Sequence, residues 1–146
     1  MKRYILFPII GVLLTLAYIF TATSIYDALP FEPDFLNEMY YKYINIAVST
    51  ALTCWIVAAI YYYVINSVRF SRWYHWLLML LVAVIVAPSI SFYYPYAEFS
   101  EEGKDYVRQL LTFNLINVCI TIVLFIVASF SIRWWSTNCR HTPLPE

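Results

Sequence analysis

The chain has 146 residues, of which 62% are hydrophobic and only 12% charged, with a formal net charge of zero. Soluble domains carry about twice that charge fraction, and nucleic-acid binding needs a basic surface, so neither class fits. Four stretches free of Asp, Glu, Lys and Arg cover residues 4–23, 43–66, 73–94 and 110–132. Each is about long enough to cross a ~30 Å hydrocarbon core at ~1.5 Å per residue. The chain therefore reads as an all-α integral membrane protein, a single domain of four transmembrane helices in an antiparallel bundle.

The charges between the spans alternate in sign. Lys2, Arg3, Arg69, Arg72, Arg133 and Arg140 lie in the N-terminus, the 67–72 link and the C-terminus. Asp27, Glu32, Asp34, Glu38, Glu98, Glu101, Glu102 and Asp105 lie in the connections 24–42 and 95–109, with Lys42, Lys104 and Arg108; only Glu146 breaks the acidic side of the pattern. Positive charge near span ends marks the cytoplasmic side, which predicts both termini inside and the acidic connections outside. The small size and topology point to a bacterial inner membrane.

The first span begins after Lys2-Arg3 and ends near Ala22-x-Ser24, so a cleaved signal peptide is the competing reading. Its apolar run exceeds the ~7–15 residues of a signal-peptide core, which favours a retained helix. Gly11, Thr15, Tyr18 and Ala22, spaced four, three and four apart, form its packing stripe.

In the first outer connection, Pro33 followed by Asp34 and Glu38 is a helix-start signal. It favours one helix from about residue 33 to 66, with a separate short helix as the alternative. The second span carries Asn45, Ser49 and Thr53 on one face and Ala47, Ala51, Cys54 and Ala58 nearly opposite, which predicts a central position. The third contains Pro88, which removes one helical hydrogen bond and disturbs the Val84 carbonyl. Ser89 and Ser91 stand near enough to compensate, and a kink is expected. In the second outer connection, Ser100 before Glu101 and Glu102 reads as a cap opening the fourth helix. That helix carries Asn114, Asn117, Thr121 and Ala128 along one face, at coiled-coil spacing. Depth matching predicts contact between Asn45 and the Asn114/Asn117 pair, directly or through Ser49.

Aromatic belts agree with the proposed boundaries. Tyr61-Tyr62-Tyr63, Trp73, Tyr74, Trp76, Trp134 and Trp135 cluster at the inner face, and Tyr40, Tyr41, Tyr43, Tyr93, Tyr94, Tyr96 and Tyr106 at the outer one. Cys54, Cys119 and Cys139 lie outside the outer connections and form no CxxC, and they read as buried small apolar residues.

Chemistry is sparse. No Asp, Glu, Lys or Arg lies inside a span, and Gly11 is the only intramembrane glycine, which argues against a coupled transporter. His75 and His141 both sit at the inner boundary; no metalloprotease, triad or phosphate-loop motif is present, and no cofactor, metal or enzymatic role is expected. The polar stripes Asn45/Ser49/Thr53 and Asn114/Asn117/Thr121 are candidates for helix packing or for lining a pore. Glu32, Asp34, Glu38, Tyr96, Glu98, Glu101 and Glu102, with Phe31, Phe35, Phe92 and Phe99, are candidates for an outer partner surface. The leading expectation is a subunit or scaffold of a larger membrane complex, bound to other subunits or to itself. An oligomeric cation pore is the first alternative. An immunity-type protein that intercepts a pore-forming toxin is the second, by analogy of architecture alone.

Overall fold

The computed structural model describes residues 2–144, so Glu146, the exception in the charge pattern, lies outside the described residues. It is an all-helical bundle of α1 (Lys2–Asp27), α2 (Pro33–Met39), α3 (Tyr43–Ala59), α4 (Trp73–Glu101) and α5 (Val107–Ile132). Four helical runs are long and apolar enough to cross a membrane, at Tyr4–Asp27, Pro33–Ile65, Trp73–Glu101 and Val107–Trp135.

Helix α1 presents the small-residue stripe to the bundle: Gly11, Thr15 and Ala22 are buried and Tyr18 half-buried, and the helix continues beyond the expected end so that Tyr26 adds one more buried position. Gly11 permits close approach to α5, since a Cβ there would lie 2.7 Å from the Ser131 Cβ and closer still to its Oγ.

The second span is one helical run, as the Pro33 signal favours. A 3-10 turn at Tyr40–Lys42 joins α2 to α3, and a π-helical turn at Ile60–Ile65 ends the run. The Ala47/Ala51/Cys54/Ala58 face is buried. Helix α3 contacts α1, α4 and α5, and α5 likewise contacts α1, α3 and α4, so these two helices share the centre.

The second acidic connection differs from expectation. Helix α4 runs through Pro95 to Glu101 instead of ending near residue 94, and α5 starts at Val107 instead of Glu101. Ser100 therefore caps nothing. Gly103, at φ +69°, ends α4: its N–H donates to the Ser100 carbonyl at 3.3 Å, and the Lys104 N–H donates to the Phe99 carbonyl at 2.9 Å. This pair of bonds is the Schellman arrangement, and a left-handed residue is what glycine supplies there. Glu101 and Glu102 thus sit at the negative end of a helix dipole, not the positive end.

Helix α4 is continuous across Pro88. Neither nearby serine reaches the Val84 carbonyl: Ser89 Oγ donates to Ile85 O at 2.6 Å, and Ser91 Oγ lies 3.0 Å from Pro88 O.

Two apolar clusters fill the bundle. One lies at the acidic end, around Tyr26, Phe35, Met39, Tyr43, Phe99 and Phe113. The other lies at the opposite, tail end, around Tyr61, Tyr62, Trp76, Phe125 and Cys139. Tyr18, Ile19 and Ile120 pack against both. Several residues assigned to interfacial belts or exposed surface are core residues instead. Tyr61, Tyr62 and Trp76 are buried, as are Phe35 and Phe99. Cys119 departs the other way: it is exposed on the bundle's flank, whereas Cys54 and Cys139 are buried.

Candidate functional site

A polar network crosses the middle of the acidic half and draws on every long helix. Its hub is Asn117 of α5, fully buried. The Asn117 amide group donates to Thr50 Oγ1 of α3 at 3.3 Å and to Ser91 Oγ of α4 at 2.9 Å. Its carbonyl oxygen accepts from the Tyr26 hydroxyl of α1 at 3.2 Å. The Tyr26 proton is thereby used, so the Tyr18 hydroxyl, 2.7 Å away, is the donor to Tyr26. Ser91 Oγ in turn donates to Asn114 Oδ1 at 2.5 Å, and Asn114 Nδ2 donates to the Leu110 carbonyl at 3.0 Å. Thr121 Oγ1 donates to the Asn117 carbonyl at 2.7 Å, and Cys54 Sγ to the Thr121 carbonyl at 3.5 Å. Both Asn117 amide hydrogens and its side-chain oxygen thus have partners. In an apolar surround that completeness is what keeps such a group from being costly.

The expected contact between Asn45 and Asn114/Asn117 does not form. Asn45 is exposed and donates to the Tyr94 hydroxyl at 3.1 Å. Ser49 and Thr53 bond carbonyls of their own helix, Ile46 O at 3.0 Å and Ser49 O at 2.8 Å. The partner of Asn117 on α3 is Thr50, on a different face from Asn45. The two candidate stripes are therefore separate: Asn114, Asn117 and Thr121 are buried inside the chain, while Asn45 and Ser49 border a groove of ≈ 220 Å³ between α3 and α4, with Tyr94.

The acidic end is partly neutralised by the protein itself. Lys42, 6% exposed, pairs with Glu98 at 3.0 Å, donates to the Glu38 carbonyl at 3.1 Å and lies 5.2 Å from the Phe99 ring centre. Lys104 bridges Glu38 at 2.5 Å and Glu102 at 2.7 Å. That contact, by hydrogen bond and charge, holds the Glu102 carboxyl below the usual carboxylate range and the Lys104 ammonium above the usual lysine range. It also offsets the unfavourable place of Glu102 at a helix C-terminus. Of the candidate partner-surface residues, Glu38, Glu98 and Glu102 are thus engaged within the chain. Glu32, Asp34, Tyr96 and Glu101 are exposed and take part in none of these ion pairs.

At the tail end, sequence reasoning missed an ordered structure. Asn66, at φ 28°, ends the π-helical turn and gathers the segment after α5. Its Oδ1 accepts from Ser136 Oγ and the Asn138 N–H, both at 2.9 Å; its Nδ2 donates to Thr137 Oγ1 at 2.9 Å. The Tyr62 hydroxyl donates to the Thr142 carbonyl at 2.9 Å, and the Tyr61 hydroxyl lies 3.1 Å from Thr142 Oγ1. Asn66 after three tyrosines was the available signal, since Asn tolerates the left-handed region.

Among the described residues, no group of three or more His, Cys, Asp or Glu side chains is placed to hold a metal ion. No protein family, curated protein or solved structure matches this chain.

Proposed function

We propose that the chain crosses a bacterial inner membrane four times as an antiparallel bundle, with both termini and the 67–72 link in the cytoplasm and the acidic end outside. It serves there, without enzymatic activity, as a subunit or scaffold of a larger membrane complex. The segregation of Arg69, Arg72, Arg133 and Arg140 from the outer carboxylates supports the orientation. One observation carries the functional reading. Tyr26, Thr50, Ser91, Asn114 and Asn117 bond one another inside the acidic half, while Glu32, Asp34, Tyr96 and Glu101 are exposed at the acidic end, above apolar flanks. Such a surface suits docking of another subunit's extracytoplasmic and membrane-embedded faces.

The Asn45/Ser49/Tyr94 groove favours a second reading, an oligomeric pore whose lining is the α3/α4 face of each copy. Native mass spectrometry of the tagged protein, extracted from its own host in mild detergent, separates the readings. A heteromeric assembly is the expected result. A closed homo-oligomer overturns the scaffold reading in favour of the pore, in which Asn45→Leu then reduces conductance. A lone monomer counts against both and leaves the immunity-type reading, tested by protection of cells against one cognate toxin.

A further inference from the structure

Arg108, near the start of α5, takes part in none of the ion pairs at the acidic end. It borders a cavity of ≈ 300 Å³ between the α1–α2 connection and α5, together with Glu32 and Gln109. Both charges are exposed. The cavity thus offers a guanidinium and a carboxylate. Further along the same α1/α5 seam lies a groove of ≈ 490 Å³, walled by Leu14 and Tyr18 of α1 and by Cys119 and Val123 of α5. On α5, Arg108, Cys119 and Val123 fall within about 60° of arc at 100° per residue. From Arg108 to Cys119 is about 16 Å along the helix axis, close to the ~15 Å depth of one leaflet's hydrocarbon.

We propose that this seam holds one phospholipid whose zwitterionic headgroup ends in a primary ammonium. Arg108 takes the phosphate as a charge-assisted donor. Glu32 accepts from the ammonium, and one acyl chain runs down the seam to end in the groove at Cys119 and Val123. The headgroup class follows from the cavity. A purely anionic headgroup would meet the Glu32 carboxylate without compensation. A quaternary ammonium has no N–H to donate to the Glu32 carboxylate. A soluble headgroup would leave the apolar groove unused. The proposal stands whether or not the protein has a partner subunit.

The test is native mass spectrometry of the purified full chain, with lipid supplied as phosphatidylethanolamine, phosphatidylcholine or phosphatidylglycerol, and with glycerophosphoethanolamine as the chainless probe. One phosphatidylethanolamine is expected to be retained per chain, about tenfold more strongly than either other lipid, and the chainless probe not at all. Arg108→Gln and Glu32→Gln should each remove that preference, and Val123→Trp should weaken retention of phosphatidylethanolamine with unchanged helicity. Equal retention of all three lipids, unaffected by Arg108→Gln, would mean annular lipid only and overturn the proposal. Stronger retention of phosphatidylglycerol would overturn the role of Glu32, and tight binding of the chainless probe would overturn the role of the groove.

Discussion

The two ends of the bundle solve the same problem by different means. In the acidic half, regular helices meet and the bonds run from side chain to side chain, Tyr18 to Tyr26 to Asn117 to Ser91 to Asn114. At the tail end the backbone itself is irregular, and the bonds run between side chains and backbone carbonyls: Tyr62 to the Thr142 carbonyl, Asn138 to the Asn66 carbonyl, Tyr61 to the Phe70 carbonyl. A regular helix satisfies its own backbone, so only its few polar side chains need partners. A π-helical turn ending in a left-handed residue needs help from outside its own segment. The acidic half is held by one buried hub, and the tail end by a distributed set of ties, most of them to the segment after α5.

Removing the hub tests this contrast most severely. Asn117→Leu strands the Tyr26 hydroxyl and breaks the links to Thr50 and Ser91, an expected loss of about 2–3 kcal/mol. Asn45→Leu, at an exposed position with one partner, is expected to cost under about 0.5 kcal/mol. Unfolding in mixed micelles measures both. Equal effects would mean that Asn117 is no hub.

Asn66→Ala probes the other end. It deletes the side-chain bonds to Ser136, Thr137 and the Asn138 N–H and places alanine at a positive φ, with an expected local loss of about 1–2 kcal/mol. The readout is maleimide labelling of Cys139, alone after Cys54→Ala and Cys119→Ala. Cys139 is buried, and burial pushes its thiol pKa up, so the parent should label slowly and the variant several-fold faster. Fast labelling of the parent would show that the tail does not dock.

The smallest effect belongs to the exposed clamp at Lys104. With its carboxyl pKa depressed, Glu102 contributes stability above its ordinary value of 4.5, and loses it as pH falls through the lowered value. With its ammonium pKa raised, Lys104 contributes below its ordinary value of 10.5, and loses it as pH rises through the raised value. Melting temperatures at low salt should therefore differ slightly between the parent and Lys104→Met at pH 7 and converge as pH falls through the lowered Glu102 value. A difference that persists in acid would show that the lysine acts through packing of its stem.

Legibility followed periodicity. The Gly11/Thr15/Tyr18/Ala22 stripe and the Ala47/Ala51/Cys54/Ala58 face were readable because a helix repeats its faces in a known way. The Pro33 start was readable from local chemistry. The end of α4 was misread because Ser100-Glu101-Glu102 resembles a cap, while Gly103, the stop signal, was passed over. Pro95 was taken as a boundary, yet it is buried inside α4, and Phe99 beyond it packs on Phe35 and Tyr106. The Asn45 contact failed because similar depth says nothing about rotation about the helix axis. Thr50, five residues on, faces Asn117 instead.

The sequence by itself determined the helical class, four runs long and apolar enough to cross a membrane, and the segregation of charge, because these depend on composition and local spacing. Tertiary structure alone decided that Asn117 is the hub, that Lys42 and Lys104 occupy Glu98 and Glu38, and that the tail folds back onto Asn66. Each joins residues more than 20 positions apart or rests on a helix's rotation, and both are set by packing between helices rather than by any one of them.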